Sequence, residues 1–307
     1  MGFIVRVMGM VLVLGTAVSH AGSGPLRVAV VADGASPIYS QLLDAMQQTV
    51  VTQTKTGSTA ITFNRILSQQ LQLANVDLVV AVGTRSSLKV IEKNLDLPII
   101  SVLIPRISFE KIAAGRDRIS AIYLDQPLRR RVRLIRLLMP AANDLGVLLG
   151  PSTVAMAGEV VAAARNQRFN PHVVKVKHKD NPITLLEQVL EDSEVLLAVI
   201  DPVVFNRNNV QSILLTTYRY RVPMIGVSPA YIKAGALAAV YSTPAQIGRQ
   251  VAELLARLSP ESVHLPNPEY PRYYSVMTNR PVGRSLGIAL DDDGVLFKTL
   301  QTGETSP

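Results

Sequence analysis

The sequence predicts an α/β fold: two doubly wound parallel-sheet lobes joined by a hinge of about three crossings. Three observations predict it. Short runs of Val, Ile and Leu alternate with helical patterns along most of the 307 residues, as expected of strands covered on both faces by helices. One unit is written twice. Asp77-Leu-Val-Val-Ala-Val-Gly-Thr leads through a helix to Leu97-Pro-Ile-Ile-Ser-Val, and Glu194-Val-Leu-Leu-Ala-Val-Ile-Asp leads through a longer helix to Val222-Pro-Met-Ile-Gly-Val. A second pair is Val28-Ala-Val-Val-Ala-Asp and Gly146-Val-Leu-Leu-Gly-Pro. The length also suits two α/β halves of ordinary domain size.

The elements follow in order. Residues 27–32 form a continuous apolar strand, and 37–50 a helix. Residues 77–82 and 98–104 are strands on either side of a helix over 86–94. The stretch Ile119-Ser-Ala-Ile-Tyr-Leu-Asp-Gln-Pro is extended and reads as the first crossing. In the helix over 127–139, Leu128, Val132, Ile135 and Met139 recur at helical spacing, which assigns Arg129, Arg130, Arg131, Arg133 and Arg136 to a solvated face. A strand over 144–149 and a helix over 154–167 come next. The strand over 173–176 alternates, with Lys175 and Lys177 outward, and so sits near a sheet edge. Helices over 183–191 and 209–220 alternate with strands over 195–200, 222–227 and 236–241. Residues 236–244 supply a second crossing, and Pro244 suits the first turn of a helix over 245–258. The proline-rich Leu265-Pro-Asn-Pro-Glu-Tyr-Pro supplies a third. A strand over 273–277 and a helix over 281–286 close the fold. The expected organisation is a leader over 1–21, a first lobe over 26–120 plus 242–260, a second over 121–241 plus 265–290, and a loose polar tail over 291–307.

Residues 1–21 read as a secretory signal. Arg6 precedes an apolar stretch from Val7 to Val18, and Ser19-His20-Ala21 places small residues around a cleavage point after Ala21. The stretch is shorter than the roughly 20 residues that span a bilayer. With no Cys in the chain, export to a bacterial periplasm is the expectation, since a core of this size needs no disulfides. The same absence excludes thiolate metal sites and cysteine catalysis. Hydrophobic residues make up 48% and charged residues 18%, which excludes a disordered chain. Thirty-one Lys+Arg against 23 Asp+Glu give a formal charge of +8, but an exported protein whose basic run lies on a helix face is not expected to bind nucleic acid.

Catalytic motifs are missing. Neither a His-Glu-x-x-His zinc helix nor a phosphate-binding glycine loop occurs. Gly226-Val-Ser-Pro-Ala comes near a nucleophile elbow, but the residue after Ser228 is Pro229, which has no N–H for an oxyanion hole. The remaining histidines, His172, His178 and His264, read as surface residues. Asp291-Asp-Asp-Gly reads as a solvated turn, without the ligand spacing of a calcium loop. No enzyme, cofactor or metal is expected.

The loops after the strands suit binding instead, because open α/β sheets take ligands at their carboxyl ends. Gly83-Thr84-Arg85-Ser86-Ser87 opens a helix whose free N–H groups and hydroxyls could hold a carboxylate, or could merely be a capped start. Asp33-Gly-Ala-Ser36 and Gly150-Pro-Ser152-Thr follow the paired strands. Asp201, before Pro202, could pair with a ligand ammonium or cap a helix. Ser228 ends another strand, and Tyr39, Tyr123, Phe205 and Tyr231 could wall the site or simply pack.

Three stretches carry a resemblance. They are Ala121-Ile-Tyr-Leu-Asp-Gln-Pro with the helix after it and Leu145-Gly-Val-Leu-Leu-Gly-Pro; Val222-Pro-Met-Ile-Gly-Val-Ser-Pro-Ala-Tyr-Ile-Lys-Ala-Gly-Ala-Leu with Ile247-Gly-Arg-Gln-Val-Ala; and Tyr274-Ser-Val-Met-Thr-Asn-Arg-Pro-Val-Gly-Arg-Ser-Leu-Gly-Ile. In order and spacing they resemble ABC-transporter substrate-binding proteins of the tryptophan/tyrosine-binding type, over about residues 27–290. The resemblance implies a type I periplasmic binding fold that closes on a small-molecule solute, with an amino acid as candidate. It implies that the loop over 83–87 holds the ligand carboxylate and that Asp201 faces its amino group. Relatives carry small alanines where Arg85-Ser86-Ser87 stand here. The implied partner is an ABC permease, with a membrane sensor protein, a kinase or cyclase, as the alternative. An exported hydrolase is a more distant one. The chain is expected to act as a monomer.

Overall fold

The computed structural model describes residues 24–34, 36–54, 60–206, 208–259 and 262–304; the leader over 1–21 lies outside the described residues. A first sheet takes β1 (Leu26–Ala32), β2 (Ile61–Leu67), β3 (Leu78–Val82), β4 (Ile99–Ile104) and β5 (Ile119–Tyr123) in the order β2-β1-β3-β4-β5, with every pairing parallel. Between these strands lie α1 (Pro37–Thr54), α2 (Gly83–Glu92) and α3 (Arg106–Ala113). The chain then enters a second sheet through α4 (Leu128–Leu138). It holds β6 (Asp144–Leu149), α5 (Ala157–Asn166), β7 (Asn170–Lys175), α6 (Pro182–Glu191), β8 (Val195–Leu197), α7 (Val210–Arg219), β9 (Met224–Gly226), α8 (Pro229–Ala234) and β10 (Ala238–Tyr241). Next come α9 (Pro244–Leu255), β11 (Ser275–Thr278), α10 (Arg280–Leu286) and α11 (Asp293–Thr302).

The second sheet runs β11-β10-β9-β8-β6-β7, parallel except for the β10–β11 pair. With β11 set aside, β6 to β10 repeat the order of β1 to β5. The repeat reaches individual bonds. Asp77 at the start of β3 accepts the Arg27 backbone N–H at 2.8 Å, and Glu194 at the start of β8 accepts that of Asp144 at 3.1 Å. Each acid ties its strand to the amino end of its lobe's first strand, β1 or β6.

Apolar residues of β1, β3 and β4 point to both faces. Val28, Val30, Val80 and Ile100 pack under α1, while Val31, Val79 and Ala81 pack under α2. Helix α9 comes after the second sheet in sequence yet packs on α1, where Ile247, Val251 and Leu255 join Leu42 and Met46 in one core. Gly248 lets them meet, since a Cβ there would stand 2.3 Å from the Leu42 carbonyl oxygen. The chain therefore crosses after Tyr123, returns before α9, and crosses again over 262–274, where Glu269 lies beside Ile122 of β5.

Several sequence expectations need correction. β2 was not foreseen: it is an edge strand exposed on one face, with polar Thr62, Asn64 and Arg65 breaking the apolar run. The short helices α3 and α8 also escaped. Residues 119–123 form β5 of the first sheet rather than linker. The tail is not loose over 293–302: Leu296 and Leu300 of α11 are buried, and Asp292 caps the helix by accepting the Gly294 N–H at 2.9 Å. The arginines of α4 do not all face solvent. Arg130 and Arg131 are 6% and 5% exposed. Arg130 pairs with Glu304, lies 3.9 Å over the Tyr274 ring and donates to the Pro271 carbonyl at 3.0 Å. Arg131 donates to the Ala198 and Gly226 carbonyls at 2.5 and 3.2 Å, and burial pulls its pKa down to about 10.

Candidate functional site

In the order β2-β1-β3-β4-β5, the loops after β1 and β3 leave toward opposite faces of the sheet, α1 to one and α2 to the other. A crevice opens where they part. A cavity of about 530 Å³ lies there. The β1 loop contributes Asp33, Gly34 and Ser36, the start of α1 adds Ile38, Tyr39 and Gln41, and the ends of β3 and β4 add Val82, Gly83 and Leu103. Ser228 and Pro229 face it from the second lobe, and Leu124, Ser242 and Pro244 from the crossings. A larger cavity, about 750 Å³, sits at the amino ends of β3, β4 and β5 against residues 262–268. Its wall joins the amino end of one sheet to the third crossing and takes nothing from the second lobe, and open α/β sheets do not bind ligands at that end.

Two backbone features shape the wall. Gly83 begins α2 at φ +81°, a left-handed conformation that glycine adopts without a Cβ clash. Leu103 sits at φ +53° where the β4–β5 register shifts. A bulky residue in that region is strained and persists only when its surroundings hold it.

Asp33 is the charged residue that lines the cavity. It accepts from Arg85 at 2.6 Å, Ser68 at 2.9 Å and Lys89 at 3.1 Å, and the Arg85 bond with these others holds it down to about 2. The Arg85 side chain stays 76% exposed, so most of its guanidinium remains open to solvent. Tyr39 is 1% exposed; its hydroxyl donates to the Val30 carbonyl at 3.1 Å, burial pushes it up to about 12, and Arg65 lies 4.8 Å from its ring.

The crossings are laced together beside the cavity. Gln126 donates to Ser242 at 2.8 Å, and Ser242 donates to the Tyr273 carbonyl at 2.6 Å, so all three join in one hydrogen-bonded line. Across the lobes, Arg106 of α3 grips both carboxylate oxygens of Glu159 on α5 at 2.9 Å. Its own backbone N–H meets Asp125 at 2.5 Å, and burial raises that carboxyl.

The sequence-derived residues divide sharply. Asp33, Ser36, Tyr39, Gly83 and Ser228 line the cavity, and Arg85 reaches it through Asp33. Thr84 is half-buried in the first turn of α2, and Ser86 is fully buried there with no partner for its hydroxyl. Asp201 is 1% exposed. It accepts from the Val203 and Val204 N–H groups at 2.8 and 3.2 Å and from the Thr153 hydroxyl at 3.0 Å, which ties it into the turn after β8; no helix starts there for it to cap. It packs against Gly150, where a Cβ would come within 2.2 Å of its oxygen. Ser152 is half-buried in that loop. Phe205 is buried and its carbonyl accepts the Tyr231 hydroxyl at 3.1 Å, which makes the two a packed pair. Tyr123 stacks edge-on with Phe109 and Tyr270, at 5.9 and 5.2 Å, in the hinge. Sequence reasoning missed Leu103, Leu124, Gln41 and Ser242. The crossings were visible in sequence and could have pointed to Leu124 and Ser242; no signal marked Leu103.

Among the described residues no helix is long and apolar enough to cross a membrane. Likewise, no group of three or more His, Asp or Glu is placed to hold a metal ion. The family described as ABC transporter substrate binding protein matches residues 28–291. No curated protein matches the chain in sequence. An ABC domain solved in complex with L-Trp from Streptococcus pneumonia has a TM-score of 0.61 at 16% identity, covering 90% of this chain and 98% of its own. A ligand-free, open substrate binding protein with adhesive properties from Clostridium difficile gives 0.60 at 15%, covering 87% and 96%. A periplasmic ribose ABC transporter protein from Conexibacter woesei gives 0.53 at 8%, covering 87% and 96%. At these identities the likeness is one of fold, that of the type I periplasmic binding proteins.

Proposed function

The chain belongs to the ABC transporter substrate binding protein family, and we propose from that premise that it is the exported solute-binding component of an ABC-type uptake system. Members of the family bind small-molecule solutes and work with a permease rather than catalyse a reaction. The observation that carries the reading is the 530 Å³ cavity, whose wall combines strand-end loops of the first lobe, Ser228 and Pro229 of the second, and all but one of the crossings. A solute there touches both lobes and so favours their closed arrangement, which a permease can distinguish from the open one. Delivery from the periplasm, after removal of residues 1–21, accords with the leader pattern, and a monomer suffices for the role.

An amino acid is one candidate solute. Thermal unfolding of residues 22–307 with amino acids, small carboxylates, sugars and nucleosides tests the proposal. A solute that binds the folded state alone stabilises it by about 2.7 kcal/mol at a hundred times its dissociation constant. A clear shift from at least one class is expected; a flat response from well-folded protein contradicts the reading.

A further inference from the structure

We infer that Arg130, braced by Glu304 from beyond the last helix, is a positioning residue that spans the pivot between the lobes and sets how freely they move about it. The inference rests on the two-lobe fold and takes lobe closure, the motion proposed above for solute binding, as the movement the pivot serves.

Adjacent residues of the third crossing are gripped by opposite lobes. Gln250 of α9, in the first lobe, is fully buried. Its amide donates to Glu269 at 2.7 Å and to the Tyr270 carbonyl at 3.3 Å, and its oxygen accepts the Arg272 N–H at 2.8 Å. Glu253, also on α9, accepts the Tyr273 hydroxyl at 2.8 Å. The next residue, Tyr274, belongs to the core of the second lobe, with its ring edge-on to Phe297 of α11 at 5.2 Å. The grip therefore changes hands between Tyr273 and Tyr274. At that point the Tyr273 carbonyl accepts from Ser242, which Gln126 in turn bonds, so the line through all three crossings passes through the joint. Rotation about this line leaves both packed lobes intact and changes few backbone dihedrals.

Arg130 reaches across the joint. From α4 of the second lobe its guanidinium lies 3.9 Å over the Tyr274 ring, yet it donates back to the Pro271 carbonyl at 3.0 Å and to the Gln126 side chain at 2.6 Å. Its other edge pairs with both carboxylate oxygens of Glu304, one at 2.9 Å. Such a two-pronged pair fixes the plane of the fork, and with it the direction of the bonds that cross the pivot. The family match ends at residue 291, so α11 and Glu304 lie outside it. Their seat is built for the purpose. Leu296 and Leu300 are buried, Arg133 donates to the Thr299 carbonyl at 3.3 Å, and a Cβ on Gly303 would stand 1.3 Å from an Arg133 nitrogen.

Pulsed electron resonance on solute-free protein, residues 22–307, tests this with cysteine-borne spin labels at the exposed positions Ser40 and Ala155. Glu304→Gln keeps the side chain's shape and removes its charge. It is expected to widen the interlobe distance distribution about 1.5-fold or more, since the paired edge of the fork loses its charge-assisted hold. Arg130→Lys should widen it as well, because a lysine cannot hold three partners in one plane. The double variant should widen it no further than the larger single change, as both act through one clamp. Asp201→Ala, which weakens the second lobe away from the pivot, should leave the width unchanged. A second pair, Ser40 with Arg272, should keep one width throughout, because Arg272 travels with α9. An unchanged width in Glu304→Gln overturns the inference, as does equal widening in Asp201→Ala or any widening of the Ser40–Arg272 pair. Should Arg130→Lys fail to fold, Glu304→Gln and Asp201→Ala decide. No solute is added, so failure here leaves the solute-binding reading to the thermal screen.

Discussion

The two lobes share a strand order and treat their acidic residues alike at one end and differently at the other. At the amino ends, Asp77 and Glu194 perform the same task, each accepting a backbone N–H at the start of its lobe's first strand. At the carboxyl ends the likeness stops. Asp33 lies at the cavity wall, held by two cations, whereas Asp201 is buried and held by backbone N–H groups and a hydroxyl. The scaffold positions are alike in the two lobes, and the strand ends that face the cavity differ. The first lobe presents charge and the second presents a closed, self-satisfied surface with Ser228 and Pro229 at its front. The cavity wall therefore draws most of its residues from the first lobe, and the proposed recognition rests there, with the second lobe as the opposing wall.

The comparison can be broken most severely at Arg131, the buried cation of the second lobe. It satisfies the ends of β8 and β9 and balances Asp125. Arg131→Ala leaves the buried Ala198 and Gly226 carbonyls without their donor, at about 1–3 kcal/mol for each group left unpaired, read as a lowered urea midpoint with unchanged slope. Asp201→Ala comes next. It strips Val203, Val204 and Thr153 of an acceptor and should lower stability by about 1–3 kcal/mol. Because Asp201 is closed off from the cavity, solute affinity should stay within threefold. A large affinity loss with small stability loss would reverse the contrast between the lobes.

A smaller effect is expected between the lobes. Glu159 is half exposed, so its pair with Arg106 is worth about 0.2–1 kcal/mol. Glu159→Gln should loosen the closed arrangement and weaken solute binding by no more than about fivefold, and the difference from the parent should vanish at high salt. The smallest effect is at Asp33. Its folded carboxyl lies at about 2, below the ordinary 3.8. The pairing therefore contributes stability above pH 4 that fades as pH falls from 3.8 toward 2. Asp33→Asn should flatten the acid limb of the pH–stability curve over that window and leave it unchanged at pH 7 in high salt.

Much of the architecture was legible because parallel strands buried on both faces leave unbroken apolar runs, as in β1, β3 and β6. The internal echo carried the repeated strand order down to Asp77 and Glu194. β2 was hidden because an edge strand need bury only one face, and Arg65 and Asn64 look like loop. In α4 the apolar spacing marked one face; it could not say that Arg131 reaches sheet carbonyls and Arg130 the third crossing, since those partners are far away in sequence. The site was half legible. Loops after strands are predictable positions, which placed Asp33, Ser36, Gly83 and Ser228. Depth is not, and Asp-Pro at 201 serves a cap and a cleft equally well on paper. Leu103 and Leu124 are ordinary apolar residues whose place in the wall comes from a register shift and a crossing.

The absence of Cys from the chain allows the most direct test of the central claim, that the lobes close on a solute held mainly by the first. Ser40→Cys and Ala155→Cys place one spin label after β1 and one after β6, both at exposed positions. The distance between labels would be measured by pulsed electron resonance without solute and with the tightest binder from the thermal screen. The account predicts a shorter, narrower distance distribution with solute. Solute bound at saturation with an unchanged distribution would contradict it.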